Sequence, residues 1–84
     1  MFEYLFTFRS LTAAQSARRA LNAGGIRASV GRTARQMSAH GCAYALRVSA
    51  GSGIRALHLL RARGAPFVHL YRVSPGGAVE EAKL

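Results

Sequence analysis

Cys42 is the single cysteine of the chain, and Arg32, Arg35 and His40 precede it within ten residues, with Gly41 immediately before the sulfur. A thiol works as a nucleophile or sulfur carrier only as the thiolate, so its surroundings must favour negative charge. Cations held close to it would lower its pKa. Gly41 removes bulk beside the sulfur and lets backbone N–H groups approach a bound anion. These residues suit an activated thiol, with Cys42 reacting, Arg32 and Arg35 as electrostatic support and His40 as a candidate proton shuttle. The competing reading makes Cys42 a small core residue, because it shares strand parity with the apolar Tyr44, Leu46 and Val48. Both readings stay open at this level.

Other chemistries find less support. No Asp occurs to orient a histidine, and the only acids are Glu3, Glu80 and Glu81, two of them close to the C-terminus. General acid–base catalysis needs positioned carboxylates or histidines, so a carrier or binding protein is expected rather than a self-contained enzyme. His40, His58 and His69 with one cysteine show no metal-ligand spacing, and no metal is expected. The Gly51-Ser52-Gly53 stretch could open a helix, but it lacks a Walker lysine and the dinucleotide fingerprint. No cofactor is expected.

The elements that must position the thiol can be read from periodicity. Residues 3–8, EYLFTF, alternate as a strand with Tyr4, Phe6 and Phe8 on one face and Leu5 and Thr7 on the other. Both faces are suited to burial, which predicts a central strand. A helix follows, with Ser10 or Thr12 as its N-cap, Ala14, Ala17 and Leu21 inward, and Gly24 and Gly25 as its stop. Residues 26–31 alternate as a second strand with one wet face. Residues 32–41 have no strand period and read as a functional loop. Residues 42–48, CAYALRV, form a third strand. Residues 51–64 form a second helix with Ile54, Leu57 and Leu60 inward, and residues 67–73 a fourth strand. The order β-α-β-β-α-β predicts an α+β, ferredoxin-like sandwich: a four-stranded antiparallel sheet with both helices on one face. Residues 1–73 would be the single domain and residues 74–84 a flexible tail.

With 84 residues there is room for one modest core. Eleven of the 12 basic residues are Arg, against three acids, for a formal net charge of +9. Such a surface attracts anions: RNA, phosphorylated metabolites, acidic proteins, sulfur or selenium oxyanions. A lone cysteine cannot close an internal disulfide, which suits a reducing compartment. The opening MFEYLFTF holds Glu3 and no preceding basic residue, so it reads as neither signal peptide nor membrane span. Cytoplasmic placement away from membranes is expected.

Taken together, YLFTFRSLTAAQSARRALNAGGI, ARQMSAHGCAYALRV and LYRV, spanning residues 3–73, resemble a family of small bacterial selenium/sulfur carrier-like proteins. The most specific part is RQMS followed by GC and ALRV. The resemblance places Arg35 and Ser38 on the family's loop, Cys42 on its cysteine and Arg47 on its strand arginine. His40 stands as a one-residue insertion before Gly41, and Ala43 replaces a glycine typical of the family. The resemblance implies a cysteine that receives sulfur or selenium as a persulfide or selenopersulfide, with donor and acceptor proteins as partners. Two alternatives stand beside it. One is a basic RNA-binding or protein-interaction module with a structural cysteine, although residues 42–48 lack the aromatic pattern of RNA-recognition strands and nucleic acid is not favoured. The other is an edge-paired homodimer sensing a small molecule.

Overall fold

Alternation along Glu3–Phe8 (β1) buries both faces of one strand: Leu5, Phe6, Thr7 and Phe8 are all buried. The structure, a computed structural model, describes residues 2–33 and 43–82. After β1 come α1 (Leu11–Ala23), β2 (Ala28–Arg32), β3 (Tyr44–Ser49), a 3₁₀ turn (Ala50–Ser52), α2 (Gly53–Ala62), β4 (Leu70–Val73) and β5 (Val79–Glu81). The strands form one antiparallel sheet in the order β2-β3-β1-β4-β5. β1 therefore occupies the middle, as its two apolar faces require. The chain is α+β with two helices and a five-stranded antiparallel sheet.

Both helices pack on one face. Phe6, Phe8, Leu46, Val48 and Leu70 meet Ala14, Ala17 and Leu21 of α1 and Ala56, Leu57 and Leu60 of α2 in one core. The alanines let α1 lie close to the sheet. On the other face Leu5 and Ala45 form a smaller cluster with Tyr71, Val73 and Val79. Ser10 caps α1, its side chain accepting from the Ala13 N–H at 3.1 Å. Both helices stop alike: a glycine of positive φ (Gly25, +82°; Gly64, +67°) turns the chain. The next N–H then returns to a carbonyl five residues back, Ile26 to Leu21 and Ala65 to Leu60, each at 2.9 Å.

Several expectations are corrected. The sheet has five strands where four were expected: Val79–Glu81, in the segment read as a tail, pairs with β4, and the Ala82 N–H bonds Leu70 O at 2.8 Å. A three-residue edge strand is too short to show a period. Ile54, expected inward, is 61% exposed. The inward stripe of α2 runs Gly53, Ala56, Leu57, Leu60, and Ile54 sits about 100° around the axis from Gly53. β2 begins at Ala28 because Ile26 is still closing the end of α1. β4 begins at Leu70, since the Phe67 N–H bonds back to Ala65 O in a tight turn.

Just before β4 the ladder bends around Thr7. Val68 N–H donates to Thr7 O and Thr7 N–H to His69 O, while His69 N–H is taken by the Thr7 hydroxyl at 3.1 Å. Thr7 is fully buried, so its hydroxyl supplies an acceptor that water cannot reach. Thr7→Val should cost about 1–3 kcal/mol by orphaning that N–H, read by urea unfolding, with Thr7→Ser retaining most of the stability. Gly53 faces the Tyr4 ring where a Cβ would stand. Gly53→Ala should therefore destabilise by about 1–3 kcal/mol through overpacking, read in the same experiment.

Candidate functional site

The segment that contains Cys42 leaves the described structure at Thr33 and returns at Ala43, and these two residues are bonded: Thr33 N–H donates to Ala43 O at 3.1 Å. That bond extends the β2–β3 ladder by one pair, so the base of the loop is a continuation of the sheet. Arg35, Ser38, His40, Gly41 and Cys42 themselves lie outside the described residues.

Arg32 ends β2 opposite Tyr44, its guanidinium carbon 5.8 Å from the centre of the Tyr44 ring. Its side is the helix-covered one, where Tyr44 packs against the core. Phe8 pairs with Tyr44, so the start of α1 follows at this same end of the sheet. No acid occupies the first turn of α1, and Arg9 precedes its cap. The loop base thus shares its end of the sheet with a helix N-terminus and two arginines, all favouring negative charge.

Arg47 is not brought to Arg32. It faces the opposite side of the sheet, opposite Leu5 and Ser29, three residues or about 10 Å along the strand. There it pairs with Glu3 at 3.5 Å. Glu80 bonds the Arg72 guanidinium, which raises the Arg72 pKa further, and Arg72 lies 4.7 Å from the centre of the Phe2 ring. Glu81 bonds His69 Nδ1 at 3.2 Å. All three carboxylate side chains are thus on the sheet, each beside a cation or a histidine. The arginines of the helices, Arg18, Arg19, Arg55 and Arg61, with Arg63 just after α2, have no carboxylate on either helix and are exposed.

The His69–Glu81 pair escaped the sequence reading, because Glu81 sat in a presumed tail; only the register of β5 brings it near. Among the described residues no three of His, Cys, Asp and Glu converge as a metal site. No helix there is long and apolar enough to cross a membrane. Of the three inner strands, β1 and β3 carry Glu3, Leu5, Thr7, Ala45, Arg47 and Ser49 on the uncovered face, with no aromatic ring on which a base could stack, while β4 places Tyr71 there beside Leu5.

A model of the family described as "Putative Se/S carrier protein-like" matches residues 3–72. The chain belongs to that family. No curated protein and no solved structure matches it. The match takes in every described element from β1 to Arg72 in β4, as well as the segment with Cys42 and the arginines on either side of it.

The separation of the two arginines predicts different effects on the thiol. Replacing Arg32 by Glu removes a cation and adds an anion at the loop base, so the thiolate is destabilised. The pH midpoint of Cys42 alkylation should rise, by a few tenths to about one unit. Arg47→Ala should leave that midpoint unchanged.

Proposed function

We propose that this protein carries sulfur or selenium on Cys42, held as a persulfide or selenopersulfide and passed to a partner enzyme. The match to the Se/S carrier-like family across residues 3–72 carries this reading. The electropositive loop base gives it a physical rationale, since thiolate and persulfide are both anionic and cations nearby stabilise both.

In the loading step the Cys42 thiolate attacks the terminal sulfur of a donor persulfide. A new S–S bond forms at Cys42 as the donor's S–S bond breaks, and the donor leaves as its thiolate. Delivery is the same exchange in reverse sense, with the acceptor thiolate attacking the outer sulfur. No oxidant is consumed, and no metal or cofactor is required. In this reading Arg32 and Arg35 support the charge, His40 carries the proton of the resting thiol, and Ser38 and Gly41 are binding support, Gly41 by its lack of side-chain bulk beside the sulfur. Arg47, paired with Glu3 on the far face, serves the surface and not the sulfur. The protein acts in a reducing compartment such as the cytoplasm.

The strand order β2-β3-β1-β4 is read as the ferredoxin-like arrangement extended by β5, and β5 as an addition to a domain ending at residue 73. The RNA-recognition alternative is disfavoured by the lack of aromatic rings on the uncovered face of β1 and β3.

The test is the alkylation rate of Cys42 in the folded protein against pH. A midpoint well below the free-thiol value of about 8.5 is expected, as is loading by a cysteine persulfide that Cys42→Ser abolishes. Protection of the thiol until the protein unfolds would overturn the reading.

A further inference from the structure

We infer that the outer edge of β2 is a docking strip for an extended acidic segment of a partner protein, taken up as an added strand. The bonding parity of the sheet locates the free groups. Thr33 bonds Ala43, and pairs alternate along an antiparallel ladder, so Ser29 and Gly31 also turn their N–H and C=O groups toward β3. The N–H and C=O groups of Ala28, Val30 and Arg32 therefore point away from the sheet. Among the described residues no strand pairs with that side. An uncovered row of this kind is a template for another chain.

Charge selects the occupant. The strip is bounded by Arg27 and Arg32, both exposed. On the uncovered face Arg27, Ser29 and Arg47 line one hollow, where only Glu3 brings negative charge. On the helix side the neighbours are Ala28 and Val30, half-buried against the core. An added strand thus meets Arg27 and Arg47 on one face and, on the other, the apolar Ala28 and Val30 with Arg32 only at the loop end, which calls for alternating acidic and apolar residues. A second copy of this chain is a poor occupant: antiparallel self-pairing about Val30 sets Arg32 opposite Ala28 of the other copy, one position from that copy's Arg27, with +9 on each chain. The other sheet edge, β5, is three residues long and carries Glu80 and Glu81, so it repels the segment that β2 attracts. This docking goes beyond the carrier reading and does not depend on the thiol.

The experiment titrates a fluorescein-labelled peptide of three Glu-Val repeats with the full chain, followed by anisotropy at low and high salt. Saturable, salt-sensitive binding is expected, weakened tenfold or more by Arg27→Glu and by Val30→Pro. Proline fits there because the Val30 N–H is outside the ladder, and circular dichroism checks the fold. Arg61→Glu, on the outer face of α2, and Cys42→Ser should leave binding unchanged. The same peptide N-methylated at alternate residues keeps its charge and cannot pair, so it should not bind. This control needs no variant. The inference is overturned if the peptide does not bind, if the N-methylated peptide binds equally well, or if Arg61→Glu weakens binding as much as Arg27→Glu. It is also overturned by a homodimer that Val30→Pro dissociates, or by a uridine dodecamer that displaces the peptide and shows the same losses in the variants.

Discussion

The structure depends on β1 being buried on both faces and bonded on both sides. Phe6 and Phe8 hold the helices, while on the other face Leu5 seats the opposite cluster and Thr7 is fully buried beside it in the strand. A strand in this position cannot leave any backbone group unpaired, because water does not reach it. Where the ladder to β4 bends at Val68 and His69, a carbonyl alone would not satisfy two successive N–H groups in good geometry. The Thr7 hydroxyl takes the second. A single buried oxygen therefore fixes how β4 approaches, and the register of β4 in turn places β5 and brings Glu81 to His69.

Charge is distributed by the same layering. With only three carboxylate side chains, the molecule has placed all of them on the sheet, where Arg47, Arg72 and His69 meet them. These are exposed pairs of modest energetic weight, and their main effect is on the field. They quench cations along the sheet, Arg47–Glu3 and His69–Glu81 on the uncovered face and Arg72–Glu80 on the side of Tyr4, and leave the outer surfaces of the helices, β2 and the loop base positive. The surface is thus divided into compensated patches on β1, β3, β4 and β5 and an uncompensated remainder, and the segment with Cys42 starts and ends on the uncompensated part. That division does not require any arginine to touch the sulfur. It sets a background in which an anionic sulfur species is favoured over a neutral one.

Elements set by local rules were legible in the sequence. Ala14, Ala17 and Leu21 announced the inner face of α1, Gly25 its end, and the alternation of β1 its central place. Ile54 misled because hydrophobicity alone does not give the angle of a stripe; Gly53 and Ala56, too small to read as inward residues, define it by letting Tyr4 and the sheet come close. β5 was hidden because VEE has no buried period and acquires strand character only by pairing with β4. Arg47 fell on the family's strand arginine by resemblance, while its parity already placed it on the face opposite Leu46 and Val48. The site was legible only as a set of residue types. Spacing in a loop says which groups are available, whereas their distances depend on contacts far apart in sequence, as the joining of Glu81 and His69 illustrates.

The two edges of the sheet differ in a way that bears on delivery. β5 is short, acidic and ends the chain's contribution to the sheet. β2 is longer, flanked by arginines, and runs through Thr33 directly into the segment with Cys42. A partner strand laid along β2 would end within two or three residues of where that segment begins. Under the proposed carrier role, docking there brings a partner to the end of the sheet at which that segment leaves, through backbone pairing that fixes its distance along the strand. A carrier needs this more than it needs a deep pocket, because its cargo is one or two atoms and offers little surface to recognise. Specificity must then come from the chain that approaches, and an edge strand with complementary charge is the simplest structure that can supply both register and selection.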